Sequence, residues 1–318
     1  MIRYILKRIL QVVPLLLVIS FIVFTLIHLA PYDAIDAQIT SNMSQEEINI
    51  LREQSGLNKP FLIQYVDWLG QILSGNFGHS LVTHNSVGEE ILAKIPNTIS
   101  LVLPAYVTAL VIAIVLGLLA AANKGKWQDK FIDAVASLGI ATPSFWIAMI
   151  FIYVLGYQLN LFPIIGMHTI GKEDDFGDFL SHFIMPYLTL TIVFFAELTR
   201  YVRSSALSQT NEEYVVVQQA FQATKTQIFT RHIIKNVLIP VITQVGMSLP
   251  MLVTGAIITE TVFSWPGIGP YITQATRALD YPIIMAVMLL SATLVIVGNL
   301  ISDILYSIVD PRIRRGGK

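Results

Sequence analysis

Charge disappears from this chain in six stretches, each long enough to cross a bilayer. Ile9 to Ala30, Ile95 to Asn123, Ala134 to Gly171, Phe179 to Ala196, Asn236 to Thr259 and Tyr281 to Ser302 contain no Asp, Glu, Lys or Arg. A helix needs about 20 predominantly apolar residues to span the hydrocarbon core. Each stretch therefore predicts one membrane-crossing helix. The third leaves room for a loop after Asn160, and the fourth continues past Glu197. The pattern predicts an all-α integral membrane fold with six transmembrane helices. It divides the chain into a first helix (1–30), an extracytoplasmic loop (31–94), a core of five helices (95–309) and a tail (310–318).

The polar segments between these stretches differ in charge. Arg3, Lys7, Arg8, Lys124, Lys126, Lys130, Arg200, Arg203, Lys225, Arg231, Lys235, Arg312, Arg314, Arg315 and Lys318 fall on one side. Only Arg52, Lys59, Lys94, Lys172 and Arg277 fall on the other. Excess Lys and Arg marks the cytoplasmic side, so both termini are expected to be cytoplasmic. The N-terminus resembles a signal peptide, but its apolar run is long and Leu29-Ala30-Pro31 is a poor cleavage site. An uncleaved first helix is expected.

The longest polar interruption on the basic side runs from Arg200 to Lys235, and residues 204–236 are read as a cytoplasmic coupling loop. Tyr214, Val217, Phe221 and Ile228 are spaced to share one helical face. A membrane protein that keeps an amphipathic helix there is expected to pass force or signal to a cytosolic partner. In the outer loop, Gln45 to Gln54 and Tyr65 to Leu73 predict short helices flanking a turn at Asn58-Lys59-Pro60. Tyr65 and Trp68 are expected near the interface. Ser264-Trp265-Pro266-Gly267 suits a type II turn with Trp265 at the headgroup level.

Composition removes several function classes. Hydrophobic residues make up 54% of the 318 residues and charged ones 13%, against about 25% charged in a soluble domain. With no cysteine there is no disulfide or thiolate metal site. A net charge of −1 gives no electrostatic footprint for nucleic acid. Gly166 to Lys172 matches the opening of a phosphate-binding loop, but Glu173 stands where Ser or Thr must hold magnesium. His79, His84, His168 and His182 are read as solvated loop residues. No nucleophile elbow is present. No catalytic, cofactor-binding or metal residues are expected, and an intramembrane enzyme has no residue set to carry it. A gradient-driven carrier is a rival reading, weakened because no series of carboxylates forms a proton relay.

Within the spans, Glu197 is read either as an ion-pair partner of Arg200 or as a pathway residue. Thr243, Met247, Met251, Thr254 and Ile258 share one face, where thioethers adapt to varied ligands or simply pack. Pro14, Pro104, Gly117, Pro143, Gly246, Pro250 and Gly255 punctuate the spans. They reflect either ordinary membrane-helix tolerance or bendable helices around a pathway.

Several blocks, in order, resemble one family nearly end to end. They are Arg3-Tyr-Ile-Leu-Lys-Arg8 with Pro14, Gly56-Leu-Asn-Lys-Pro60 with Gln64-Tyr65, and Glu213-Tyr214 with Ala220 and His232 to Pro240. Phe263-Ser-Trp-Pro-Gly-Ile-Gly269, Asp280-Tyr-Pro282, Asn299 to Asp303 and Asp310-Pro-Arg-Ile-Arg314 complete the set. The chain resembles the B-type permeases of the dipeptide, oligopeptide and nickel group of ABC importers.

The resemblance implies a type I ABC importer permease fold in a bacterial cytoplasmic (inner) membrane. It implies a homologous second permease, two cytosolic ATPase subunits holding ATP and Mg, and an extracytoplasmic solute-binding protein. The cargo implied is short peptides, with nickel or a metal chelate as the alternative. It places ATPase coupling on Glu213, Tyr214, Ala220, Phe221, Gln222, Ala223, Thr224, Lys225 and Thr226. The pathway residues proposed alongside are Met247, Met251, Thr254 and Glu197. The chain departs from the family where Gln222 replaces a glycine, where Val216, Gln219 and Phe221 replace basic residues, and at Pro31-Tyr-Asp-Ala34.

Overall fold

The computed structural model describes residues 2–29, 43–54, 58–248 and 256–309, and every described element is helical. Packing divides the chain into two compact units. One comprises Met1–Pro96 and Gly267–Val297, the other Asn97–Pro266 and Gly298–Lys318.

The first unit contains α1 (Ile2–His28), α2 (Gln45–Gln54), α3 (Phe61–Leu73), the start of α4 (Val87–Ala122), α12 (Ile268–Arg277) and most of α13 (Tyr281–Val309). Phe21 and Phe24 of α1 meet Phe61 and Tyr65 of α3, with ring centroids 5.2–5.7 Å apart. The Tyr65 hydroxyl lies 2.9 Å from Ser20 Oγ and donates to the Leu17 carbonyl at 3.3 Å. Tyr65 and Trp68 both pack against Phe24 of the first span, and the half-buried phenol finds its hydrogen-bond partners on α1. Buried Ser80 donates to Asp280 Oδ2 at 2.6 Å and accepts from the Val82 and Thr83 N–H groups. That bond ties the loop before α4 to the start of α13.

The second unit contains the rest of α4, then α5 (Trp127–Ala141), α6 (Ser144–Phe151) with a π-helical continuation to Gln158, and α7 (Phe176–Gln209). It continues through α8 (Glu213–Ala220), α9 (Lys225–Ile228) with a π turn (Phe229–Ile233), α10 (Ile234–Ser248) and α11 (Ile257–Val262). Among the described residues, four helices are long and apolar enough to cross a membrane, or five if the pair formed by α5 and α6 counts as one. The fifth apolar stretch is described only at its flanks, by α10 and α11. Pro250, Met251, Thr254 and Gly255 lie outside the described residues.

The third stretch departs most from the simple reading. Instead of one helix it holds two, bent by 96° at Thr142–Pro143. Proline lacks the N–H that would continue α5, and it forces the residue before it out of the helical region. Thr142 is accordingly extended, at φ −94° and ψ 119°. Gly117 and Gly246 serve close packing rather than bending. A Cβ on Gly117 would lie 2.7 Å from Val202 Cγ1, and one on Gly246 would lie 2.5 Å from Ser302 Cβ.

Trp265 is completely buried, and its indole N–H donates to the Asn97 carbonyl at 2.8 Å. It packs with Leu101, Ala105, Leu190 and Phe194 in the unit's main apolar cluster. The expected headgroup position and type II turn are therefore both corrected. Gly267 has φ −95°, and the left-handed residue is Ser264 at φ 51°. Ser264 N–H donates to Thr261 O and Trp265 N–H to Glu260 O. The chain reverses at the end of α11 by a Schellman closure, which swings the indole inward.

Candidate coupling and pathway site

Residues 213–226 form two short helices around a corner. Tyr214 pins the start of α8 to the end of α7 by donating to Gln209 Oε1 at 3.1 Å. Val215 points inward and joins Val202, Ala206, Ile228, Phe229 and Ile233 in a buried apolar cluster. Val216, Val217 and Phe221 point outward, and Phe221 is 80% exposed. Glu213 and Ala220 are exposed on the same side.

The helix stops at Phe221. Gln222 takes φ 56°, its N–H donates to Gln219 O at 2.9 Å, and Ala223 N–H donates to Gln218 O at 3.1 Å. These are the two bonds of a Schellman motif, whose left-handed position is usually glycine. Gln222 therefore adopts the conformation that the family's glycine would supply. The next helix starts at once. Thr224 Oγ1 accepts from Gln227 N–H, and Gln227 Oε1 accepts from Thr224 N–H, closing a capping box. Lys225 and Thr226 occupy its first turn, both exposed.

The single amphipathic face read from Tyr214, Val217, Phe221 and Ile228 does not persist across this corner. The left-handed residue resets the helical phase, so Val217 and Phe221 face out while Ile228 is buried. The capping box was readable from Thr224-x-x-Gln227, and Gln227 is the residue the sequence reading omitted.

Glu197 and Arg200 are both exposed on α7, and they form no ion pair within 4.0 Å. The expected pairing is corrected: Arg200 does not occupy Glu197. A different pair holds this end of the unit. Arg203 Nε donates to Asp129 Oδ1 at 2.6 Å and Nη2 to Oδ2 at 3.1 Å, with Asp129 buried. Gly125 N–H also donates to Asp129 Oδ2. Asp129 stands alone among Lys124, Lys126 and Lys130, which was its only sequence signal. Met247 on α10 is 56% exposed, while Met251 and Thr254 lie outside the described residues.

The loop resembling a phosphate cradle is occupied by its own protein. Gly166 N–H donates to Phe263 O. Gly171 N–H donates to Glu173, which holds that carboxyl below the usual range. The reading of four solvated loop histidines is corrected at His182, which lies within α7, buried, with Nδ1 2.9 Å from Asp178 O, while His168 lies against the Phe179 ring. Among the described residues, no group of three or more metal-ligating His, Asp or Glu side chains converges.

Comparison with known proteins accounts for this arrangement. Residues 113–315 match the model of the binding-protein-dependent transport system inner membrane component, and residues 1–102 match the N-terminal component of the same systems. The oligopeptide transport system permease protein AppB of Bacillus subtilis is 38% identical, over 98% of this chain and 99% of its own. The dipeptide transport system permease protein DppB of Alkalihalophilus pseudofirmus is 32% identical, over 99% of this chain and all of its own. The metal-staphylopine import system permease protein CntB of Staphylococcus aureus is 34% identical over the full length of both. An apolar, multi-pass helical chain with a built corner at one end matches these permeases from end to end, and it belongs to the binding-protein-dependent inner membrane permeases of the peptide and nickel ABC importers.

Proposed function

We propose that this chain is the passive membrane gate of an ATP-driven importer of short peptides. Six helices cross the membrane, with both termini on the Lys- and Arg-rich cytosolic side. A second, homologous permease completes the pathway, a solute-binding protein delivers cargo outside, and two ATPases supply the work. The observation that carries the reading is the two-faced α8. Val215 anchors it in the unit, while Val216, Val217, Ala220 and Phe221 present an apolar face with no partner among the described residues. Such a face fits a hydrophobic groove on an ATPase, and a rigid corner carries the motion of that groove into α7 and α10. Glu213, Tyr214 and 220–226 are the coupling residues. Glu197, Met247, Met251 and Thr254 are assigned to the pathway.

Reconstitution tests the proposal. Vesicles holding the chain with its second permease, ATPases and binding protein should accumulate labelled dipeptides and oligopeptides only with ATP. Accumulation by the chain alone, or loss of uptake to an uncoupler but not to ATPase poisoning, would make it a gradient-driven carrier instead. The likeness to the metal-staphylopine permease supports a second cargo, a metal chelate. Competition between chelated nickel and peptide in the same vesicles decides between the two.

A further inference from the structure

A cavity of about 460 Å³ lies behind the coupling corner, on the face of α8 opposite Phe221. Buried Val215, Ile228 and Ile233 line it together with Thr210, Gln219 and the exposed Lys124 and Lys225. Sites for small ligands occupy roughly 300–1,000 Å³, mostly apolar with a few polar groups. Neither lysine makes an ion pair among the described residues. Asp129, the carboxylate that feels Lys124, is already held by Arg203 and Gly125 N–H. The C-terminal ends of α4 and α7 approach the cavity. Each contributes only about half a negative charge, against two full positive charges on the lysines. The site therefore favours an anion attached to something apolar.

The depth of the cavity indicates which anion. Trp127 follows the Lys124 loop with 71% of its surface exposed, and Lys126 and Lys130 flank it, exposed. An exposed indole among lysines marks the headgroup level of a membrane protein, where phosphate on an acyl-bearing molecule is abundant. We infer that this cavity binds the phosphate headgroup of an anionic phospholipid, with Lys124 and Lys225 on the phosphate and Val215, Ile228 and Ile233 on the apolar part. The bound lipid wedges α8 from behind and sets how firmly the corner stands when the ATPase moves it. The inference rests on the proposed reading only in placing this end of the unit at the cytosolic leaflet.

The test uses the complete transporter, purified from vesicles of phosphatidylcholine and phosphatidylglycerol and examined by native mass spectrometry. Wild type should retain phosphatidylglycerol selectively. The double variant Lys124→Gln/Lys225→Gln should hold it about 10- to 30-fold more weakly. Thr210→Trp, which fills the cavity with both lysines in place, should also displace it. Unaltered thermal unfolding of each variant shows that loss of lipid is not loss of fold. Equal retention in wild type and both variants overturns the inference, as does equal retention of phosphatidylcholine. Displacement by millimolar inorganic phosphate overturns it in favour of a soluble phosphate ligand. Labelling of Lys124→Cys by a membrane-impermeant maleimide in sealed right-side-out vesicles refutes the orientation alone and leaves the lipid measurement standing.

Discussion

Replacing Gln222 by glycine should make the coupling corner more stable, although it removes a side chain. Gln222 stands at φ 56° and is exposed, so its side chain contributes little packing to offset the backbone conformation. A residue bearing a Cβ pays about 1–2 kcal/mol in the left-handed region. Glycine avoids that cost but loses roughly 0.5–1 kcal/mol more conformational freedom on ordering. The net gain is about 0.5–1 kcal/mol, or roughly a 2- to 5-fold shift in the local opening equilibrium. Valine at the same position, branched at Cβ, should open the corner by at least a comparable amount. Hydrogen exchange in the assembled transporter reads this directly. The Gln222 and Ala223 amides donate to Gln219 O and Gln218 O, and exchange only when the corner opens. Protection should rise for Gln222→Gly and fall for Gln222→Val. If all three proteins exchange alike, Gln222 bears no strain and the account of the missing glycine is wrong.

Other perturbations address the rest of the site. Phe221→Asp should abolish co-purification of the ATPases without reducing membrane insertion, because the ring is 80% exposed and supports nothing inside the chain; undiminished co-purification removes it from the docking face. Glu197→Gln should slow peptide uptake several-fold in reconstituted vesicles with the complex intact, and normal uptake takes Glu197 out of the pathway. Asp129→Asn leaves Arg203 without its carboxylate and should cost about 2–3 kcal/mol, less than a fully buried pair because Arg203 is 26% exposed; a thermal midpoint equal to wild type contradicts this. Gly117→Ala drives a methyl into Val202 and should cost about 1–3 kcal/mol, recovered in part by Val202→Ala; a silent single substitution means the helices separate freely there.

What could be read from the sequence depended on the range of the interaction. The charge-free stretches located α1, α4, α7 and α13, because a bilayer imposes its thickness on consecutive residues. The short helix α2 fell on the expected residues, and α3 began one turn early because Pro60 caps it. Trp265 was misplaced because a tryptophan beside Pro-Gly looks the same at an interface or in a core. Only its contact with Asn97, 168 residues away, distinguishes them. Asp129 escaped notice for the same reason, since its partner lies 74 residues on. The corner at 221–224 was half legible. Thr224 and Gln227 carry a local capping signal, but nothing in the side chain of Gln222 announces a left-handed backbone.

The corner has a mechanical corollary. From Lys225 the helical path runs without a break through the π turn and α10 to Ser248. At 1.5 Å per residue, a rod of this kind is roughly 35 Å long, so a tilt of about 10° at one end sweeps the other by on the order of 6 Å. A displacement of that size exceeds the width of a peptide backbone, so a modest rocking at the Thr224 end is magnified along the rod to the Met247 end.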